Sequence, residues 1–443
     1  MSEPPRSSAG RAARLATLPF GVAGRVTLGL GKRLGGKSAE VVREEISRRT
    51  ADQLFRVLGE LKGGAMKFGQ VLSILEAALP DEMVAPYRAT LTKLQDAAPP
   101  MPVATVHRIL TDELGPNWRR RLRSFDDHPA AAASIGQVHR AQWPDGSEVA
   151  VKIQYPGAAD ALRSDLNQIA RIGGLFGSVL PGLEVKPLVA ELKERITEEL
   201  DYDLEAGAQA AFAQAYENDP DIVIPHVRLQ TSRVLVTDWL DGTPLSQVIS
   251  DGNQEERDRA GLLFTRFLFS GPARAGMLHA DPHPGNYRIT PDGRLGVLDF
   301  GLCARMPEGF PPTIGRMIRI GLNEDFDAVV AGLRSEGFIK PGIEMDPERL
   351  RDYLGPFVEP ARSDTFRFSR DWMRAQFQRI SDIGPQGNSL ALNLNIPPSY
   401  ALIHRVWVGG IGVLSQLGAD APFRAELESW LPGFKEDSEA LES

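Results

Sequence analysis

A single cysteine, Cys303, stands among 443 residues. That scarcity excludes a disulfide framework and any multi-cysteine metal site, and it favours a reducing compartment, the cytosol. Long hydrophobic runs are missing too. No apolar stretch reaches the length of a membrane span, and the N-terminus lacks the short apolar core and small-residue cleavage site of a secretory signal. The nearest candidate, Tyr400 to Leu417, is interrupted by His404, Arg405 and a Gly-Gly pair, and reads as a buried helix. Any membrane contact is therefore expected to be peripheral. Nor is there an excess of positive charge: the formal net charge is −8, opposite in sign to the footprint of a general nucleic-acid binder.

What is present is ample material for a core, with 42% apolar and 24% charged residues, in a chain too long for one average domain. Residues 1–37 depart from the acidic balance. Arg6, Arg11, Arg14, Arg25, Lys32, Arg33 and Lys37 face the single acid Glu3 and alternate with Leu15, Leu18, Phe20, Val22, Leu28 and Leu30. Such a mix suits an anionic membrane surface, but a solvated, partly disordered tail is the preferred reading. Residues 38–120 read as an all-helical extension, with Leu54, Leu58 and Leu61 on one stripe and Phe68, Leu72, Leu75 and Leu79 on a second, separated by Gly63-Gly64. From 121 to 241 the texture becomes that of a small α+β lobe. Strands are expected at Gly136–Ala141 and Glu148–Ile153 around the turn Pro144-Asp145-Gly146, a helix at Lys186–Ala215 and a strand at Val234–Trp239. Residues 242–443 read as mainly helical, apart from short strands flanking Pro291-Asp292-Gly293.

Three motifs succeed one another in the order that protein kinases use. Val149-Ala150-Val151-Lys152 matches the strand whose lysine reaches the α and β phosphates of ATP. His279-Ala280-Asp281-Pro282-His283-Pro284-Gly285-Asn286 has the H-x-D-x-x-x-x-N spacing of a catalytic loop, with Asp281 as base or orienter of the attacking group. Asp299-Phe300-Gly301 supplies a Mg²⁺-binding carboxylate, and Asn286 with Asp299 forms the expected metal pair. Alone each motif is weak; in order they are specific. By the same analogy Thr237 is the gatekeeper, and the backbones of Asp238 and Leu240 hold adenine. His279 and His283 beside Asp281 lack the further His or Cys that a zinc site needs.

The chain departs from ordinary kinases where a glycine-rich loop belongs: Ala131, Ala132, Ala133 and Ser134 precede Ile135-Gly136-Gln137-Val138-His139. This alanine-rich loop, Lys67-Phe68-Gly69-Gln70, Leu94-Gln95-Asp96, the run Glu199-Leu200-Asp201-Tyr202-Asp203-Leu204-Glu205-Ala206 and the His279–Asn286 loop together resemble the UbiB/AarF/ADCK family of atypical kinases and ATPases. The resemblance covers about Glu40 to Arg305, and no A-P-E sequence comes after Asp299-Phe300-Gly301.

The resemblance implies a bilobal, protein-kinase-like α+β fold with a helical N-terminal extension and a mostly helical C-lobe. It assigns Ala131, Ala132, Ala133, Ser134, Val138, Lys152, Glu205, Asp238, Leu240, Asn286 and Asp299 to ATP or ADP and Mg²⁺, with Glu205 as the ion-pair partner of Lys152. Catalytic roles fall to Asp281, Lys152 and Lys67, and regulatory ones to Lys67, Gln70, Glu199 and Asp201. On a regular helix Asp201 and Glu205 share a face while Glu199 points elsewhere. The implied function is a Mg-ATP-dependent kinase or ATPase acting on, or regulated by, a small hydrophobic or lipid molecule related to isoprenoid quinones. The competing readings are a conventional protein kinase and a non-catalytic protein that uses nucleotide only to set its conformation.

Overall fold

The computed structural model describes residues 100–133, 135–157, 201–339, 342–381 and 397–435. The chain forms two compact units, one reaching to Tyr202 and including Leu229–Val236, the other comprising Asp203–Arg228 and the chain from Thr237 onward. This differs from the sequence-based division, which keeps 121–241 together.

The first unit begins with helix α1 (Val103–Leu114), then strands β1 (Ser124–Ala133), β2 (Gly136–Gln142) and β3 (Glu148–Gln154). After β4 (Ile222–Val223), which belongs to the second unit, β5 (Val227–Gln230) and β6 (Val234–Asp238) complete a sheet of order β1-β2-β3-β6-β5. In β3 the alternation of the sequence becomes geometry: Val149, Val151 and Ile153 are fully buried, while Ala150 and Lys152 lie on the other face. Val106, Ile109 and Leu110 of α1 cover the buried face of this sheet, each such side chain contributing about 1.5–3 kcal/mol. Residues 103–114 are thus part of the sheet's own core, which differs from the expectation that 38–120 forms a unit separate from the α+β lobe; the apolar stripe of α1 packs on the sheet.

The alanine-rich segment is the end of β1 rather than a loop, paired as Ala131↔Val138, Ala132↔Gln137 and Ala133↔Gly136. Extended backbone tolerates a Cβ, and among the described non-glycine residues only Asn218 and Glu324 have positive φ. Register shifts on either side of Pro129 accommodate a residue that cannot donate to the ladder.

Helix α2 (Tyr202–Ala215) leads into the second unit and starts after the non-helical Asp201, whereas the sequence suggested one helix running on from Lys186. The second unit continues through β7 (Thr243–Pro244), α3 (Leu245–Asp251), α4 (Gln254–Ala275) and β8 (Met277–His279). Asn253 and Glu256 form a reciprocal capping box at the start of α4. The hairpin of β9 (Tyr287–Ile289) and β10 (Leu295–Val297) turns at Gly293, whose φ is 83°, and β11 (Cys303–Arg305) pairs with β8. Helices α5 (Pro312–Leu322), α6 (Phe326–Ser335) and α7 (Pro347–Val358) come next. Then come β12 (Phe366–Arg367), α8 (Arg370–Ser381), α9 (Pro398–Leu417), β13 (Asp420–Ala421) and α10 (Phe423–Trp430). Helix α9 is the buried helix expected from Tyr400: Ile403, Val406, Val413, Leu414 and Leu417 join the core around α4. Among the described residues no helix is long and apolar enough to cross a membrane.

Candidate nucleotide site

In the first unit the β2–β3 pairing sets Val138 directly opposite Lys152, and the β1-β2 hairpin sets Ala131 opposite Val138. The Lys152 ammonium lies 5.4 Å from the centroid of the Tyr202 ring, within cation–π range. Glycine is required at 136 because a Cβ there would stand 2.2 Å from the Ile153 carbonyl oxygen. Two residues of the same motif do structural work that the sequence did not disclose. Gln137 accepts a hydrogen bond from the Met101 N–H at 2.7 Å and donates to His139 Nε2 at 2.7 Å, while His139 Nδ1 donates to the Asp126 carbonyl at 2.8 Å. Burial lowers the pKa of His139, consistent with this neutral tautomer.

In the second unit the strand β8 delivers His279 to the end of a buried chain. His279 Nε2 donates to the Asp299 carbonyl, and Nδ1 accepts from the Tyr287 hydroxyl at 3.1 Å, which also lies 3.3 Å from the Asp281 carbonyl. Burial holds the imidazole neutral by lowering its pKa, so it serves as a relay of backbone positions and has no nitrogen left for a metal. Asn286 donates its side-chain amide to Asp281 Oδ2 at 2.8 Å. A carboxylate only accepts, so this contact fixes the amide's orientation and leaves Asn286 Oδ1 as the outward oxygen. Asp299 Oδ1 accepts from the Gly301 N–H at 2.9 Å.

Aromatic packing joins these pieces to α2. Phe300 meets the His279 ring edge-on at 5.3 Å and Phe212 of α2 at 5.1 Å, and Phe267 of α4 lies 5.5 Å from His279. The same helix α2 carries Glu205, only 2% exposed. Glu205, Asp281 and Asp299 converge around Cys303: burial first, then the negative charges of Asp299, Glu205 and Asp281, push its thiol pKa far up. Cys303 is therefore a packed neutral thiol.

The second unit thus brings together Asp281, Asn286, Asp299 and Glu205, and the first holds Ala131, Ala133, Val138 and Lys152. Asp238 pairs with Arg228 at 2.5 Å, and its N–H donates to the His226 carbonyl at 2.9 Å, so that N–H is already engaged within the sheet. The Leu240 side chain covers β10, lying 2.2 Å from where a Cβ on Gly296 would sit. Helix α2 starts at Tyr202, so Asp201 precedes its first turn and is exposed, unlike Glu205. Lys67, Gln70, Ser134 and Glu199 fall outside the described residues, as does the Ala132 side chain. Tyr287 was not foreseen; its only signal was an aromatic residue directly after a polar loop.

Magnesium is implied by the family resemblance, and Asn286 and Asp299 are the residues that would hold it. Hard oxygen from Asn286 and Asp299 matches Mg²⁺, which takes one or two protein carboxylates and completes its shell with phosphate and water. Accordingly, among the described residues no three His, Cys, Asp or Glu groups form a closed metal cage.

Comparison with known proteins places the chain in a family. Residues 93–332 match the ABC1 atypical kinase-like domain. The chain is 30% identical over 353 residues to the mitochondrial atypical kinase coq-8 of Caenorhabditis elegans, covering 76% of this chain and 46% of that protein. It is 30% identical over 398 residues to the mitochondrial atypical kinase COQ8B of Danio rerio, covering 87% and 62%. The chain thus spans about half the length of the curated relatives it matches. Among solved structures, the Rv3197–erythromycin complex from Mycobacterium tuberculosis is similar with a TM-score of 0.70 and 43% identity, over 90% of this chain and 100% of that one. With a family domain over more than half its length, the kinase motifs in order and a kinase-like mixed fold, this chain belongs to the UbiB family of atypical kinase-like proteins.

Proposed function

We propose that the protein binds Mg-ATP and cleaves or transfers its terminal phosphoryl group, under the control of a small hydrophobic or lipid molecule of the isoprenoid-quinone kind. The observation that carries this reading is the Asn286–Asp281 hydrogen bond of 2.8 Å beside an Asp299 carboxylate fixed by the Gly301 N–H. Phosphoryl transfer needs positioning and charge compensation more than covalent chemistry. Asp281 would orient the attacking oxygen, Asn286 Oδ1 and Asp299 would hold Mg²⁺, and Lys152 would steady the α and β phosphates. The bound metal neutralises charge on the phosphates; the chain's own groups hold the angles.

A peptide acceptor is disfavoured. Only Leu302 to Pro311 separates Gly301 from α5, and β11 takes part of that length, leaving little of a peptide-docking segment. Lys67 and Gln70 of the extension, with Glu199 and Asp201, would restrict the acceptor side. The similar Mycobacterium tuberculosis protein was captured with erythromycin, a macrocyclic lactone, which supports a small organic molecule as ligand. The second reading, a nucleotide-gated binding protein without turnover, shares that ligand class.

Single-turnover analysis with labelled ATP separates the two, since it resolves inorganic phosphate, phosphoprotein and phospholipid. The expected result is Mg²⁺-dependent product lost in Asp281→Asn. Nucleotide should also raise the melting temperature, a hundredfold excess over Kd adding about 2.7 kcal/mol, and Asp299→Asn should lose most of that rise. Nucleotide stabilisation without any product would leave the gating reading; an unchanged rise in Asp299→Asn would overturn the metal assignment.

A further inference from the structure

The Gly409-Gly410 pair that interrupts the apolar run of α9 stands in mid-helix, where glycine is the poorest helix former after proline. Each position is explained by what it meets. A Cβ on Gly410 would lie 3.2 Å from Leu268 Cδ1 of α4, the far end of a flexible side chain. A Cβ on Gly409 would stand 2.6 Å from Pro282 Cγ and 3.8 Å from Pro282 Cβ and Cδ. Gly412, nearly one turn on, supplies the contrast: a Cβ there would make an ordinary contact with Met373 Cε at 3.7 Å. Of these three glycines, Gly409 is the one that meets the catalytic loop.

Neither side of that contact yields easily. Carbon atoms rest at about 3.5–4.0 Å, so an approach of 2.6 Å is relieved only by a shift of roughly 1 Å. Pro282 is buried, and its ring is closed on its own backbone nitrogen, so the Cγ can do little more than pucker. Helix α9 is held on either side of Gly409 by Ile403, Val406, Val413 and Leu414, which belong to the core around α4. Any shift is therefore passed along the backbone to Asp281, whose carbonyl carbon is bonded to the Pro282 nitrogen and whose carboxylate accepts from Asn286 at 2.8 Å.

We infer that Gly409 is a positioning residue for the catalytic loop: its bare backbone forms the seat of the Pro282 ring, and that seat sets where Asp281 stands. The inference rests on the proposed function for its effect on turnover, and on the packing alone for its effect on the loop.

The test is a double-mutant cycle in the full chain, with Gly409→Ala, Pro282→Ala and the pair together, and Gly412→Ala as the matched control. Alanine at 282 has no Cγ or Cδ, so the atom left facing Gly409→Ala is the Cβ, at 3.8 Å. Single-turnover cleavage of ATP in Gly409→Ala should fall about 10- to 100-fold while the Kd for Mg-ADP stays within about threefold, because rate depends on geometry more steeply than binding does. In the Pro282→Ala background the same substitution should change the rate by less than about threefold. Gly412→Ala makes the same change of residue in the same helix and should keep the wild-type rate. Hydrogen exchange at the Asn286 N–H, bonded to the His283 carbonyl at 3.0 Å, reads the loop without turnover: it should quicken in Gly409→Ala and return to the Pro282→Ala level in the double variant.

Wild-type rate and exchange in Gly409→Ala would overturn the inference, as would a loss of equal size in both backgrounds, the mark of a purely structural glycine. Should Gly409→Ala be too unstable to assay, the double variant decides: folding and turnover equal to Pro282→Ala alone support the seat, and an unstable double variant refutes it. Exchange that responds and is rescued, with no phosphate product from any variant or from the wild type, would support the seat and count against the proposed function alone.

Discussion

Replacing Tyr287 by Phe removes one atom from the centre of the second unit. The ring is 0% exposed and keeps its edge-on contact with Phe264 at 5.0 Å, so the change isolates the hydroxyl. That hydroxyl is the donor to His279 Nδ1 and a neighbour of the Asp281 carbonyl. Without it a buried imidazole nitrogen has no donor, and its lost solvation costs about 1–3 kcal/mol. The cost falls on the catalytic loop, so hydrogen exchange is the appropriate assay. The Ala280 N–H bonded to Leu302 and the Leu298 N–H bonded to Asn286, both at 2.9 Å, report loop opening. They should exchange about 5- to 150-fold faster. Turnover should fall with them, since a displacement of about 1 Å at Asp281 is worth about a hundredfold in rate. Exchange within about twofold of wild type would refute the argument that His279 depends on this donor, and the hydroxyl would then be incidental to the relay.

Three further outcomes are expected. Gly136→Ala drives a Cβ to 2.2 Å from the Ile153 oxygen and should destabilise the hairpin by about 1–3 kcal/mol, whereas Ala131→Gly should stay within about 1 kcal/mol; urea unfolding of both variants compares them. Stability should fall as pH drops below about 6.5, because burial lowers the folded-state pKa of His279, His139 and His404. The unfolded chain then binds more protons, so the contribution is complete above about 6.5 and is lost towards the lowered values, at up to about 1.4 kcal/mol per pH unit for each proton taken up. Melting curves from pH 8 to 5.5 read it, and a flat profile would contradict the buried neutral histidines. Finally, Lys67→Ala should lower ATPase turnover and Ala133→Gly should raise autophosphorylation, with the double variant non-additive if they share one site; wild-type levels in Lys67→Ala would make the extension a structural appendage.

Much of this protein was legible in its sequence because phosphate chemistry constrains residues that lie close together in the chain. Lys152 could be placed on the outward face of its strand from the alternation of Val149, Val151 and Ile153 alone, since a pleated strand has a strict period of two. Asp281, Asn286 and Asp299 were legible because one loop and one turn must present them, and their spacing survives any surroundings. The helix ending at Leu417 was legible as a buried one because its apolar run is interrupted by His404, Arg405 and a Gly-Gly pair.

Tertiary structure decided the rest, wherever the reason for a residue lies far away in sequence. Nothing near Ala131 indicates that three alanines end a strand; that comes from their pairing with Gly136, Gln137 and Val138. Gln137 and His139 looked like parts of a nucleotide loop and instead tie Met101 to Asp126, a polar chain whose partners no local pattern specifies. The same holds for Tyr287 under His279, Phe212 against Phe300 and Gly409 against Pro282. Local periodicity determines which face a side chain takes, but only the packed core determines what meets it there, because contact and desolvation depend on the neighbour that the fold supplies.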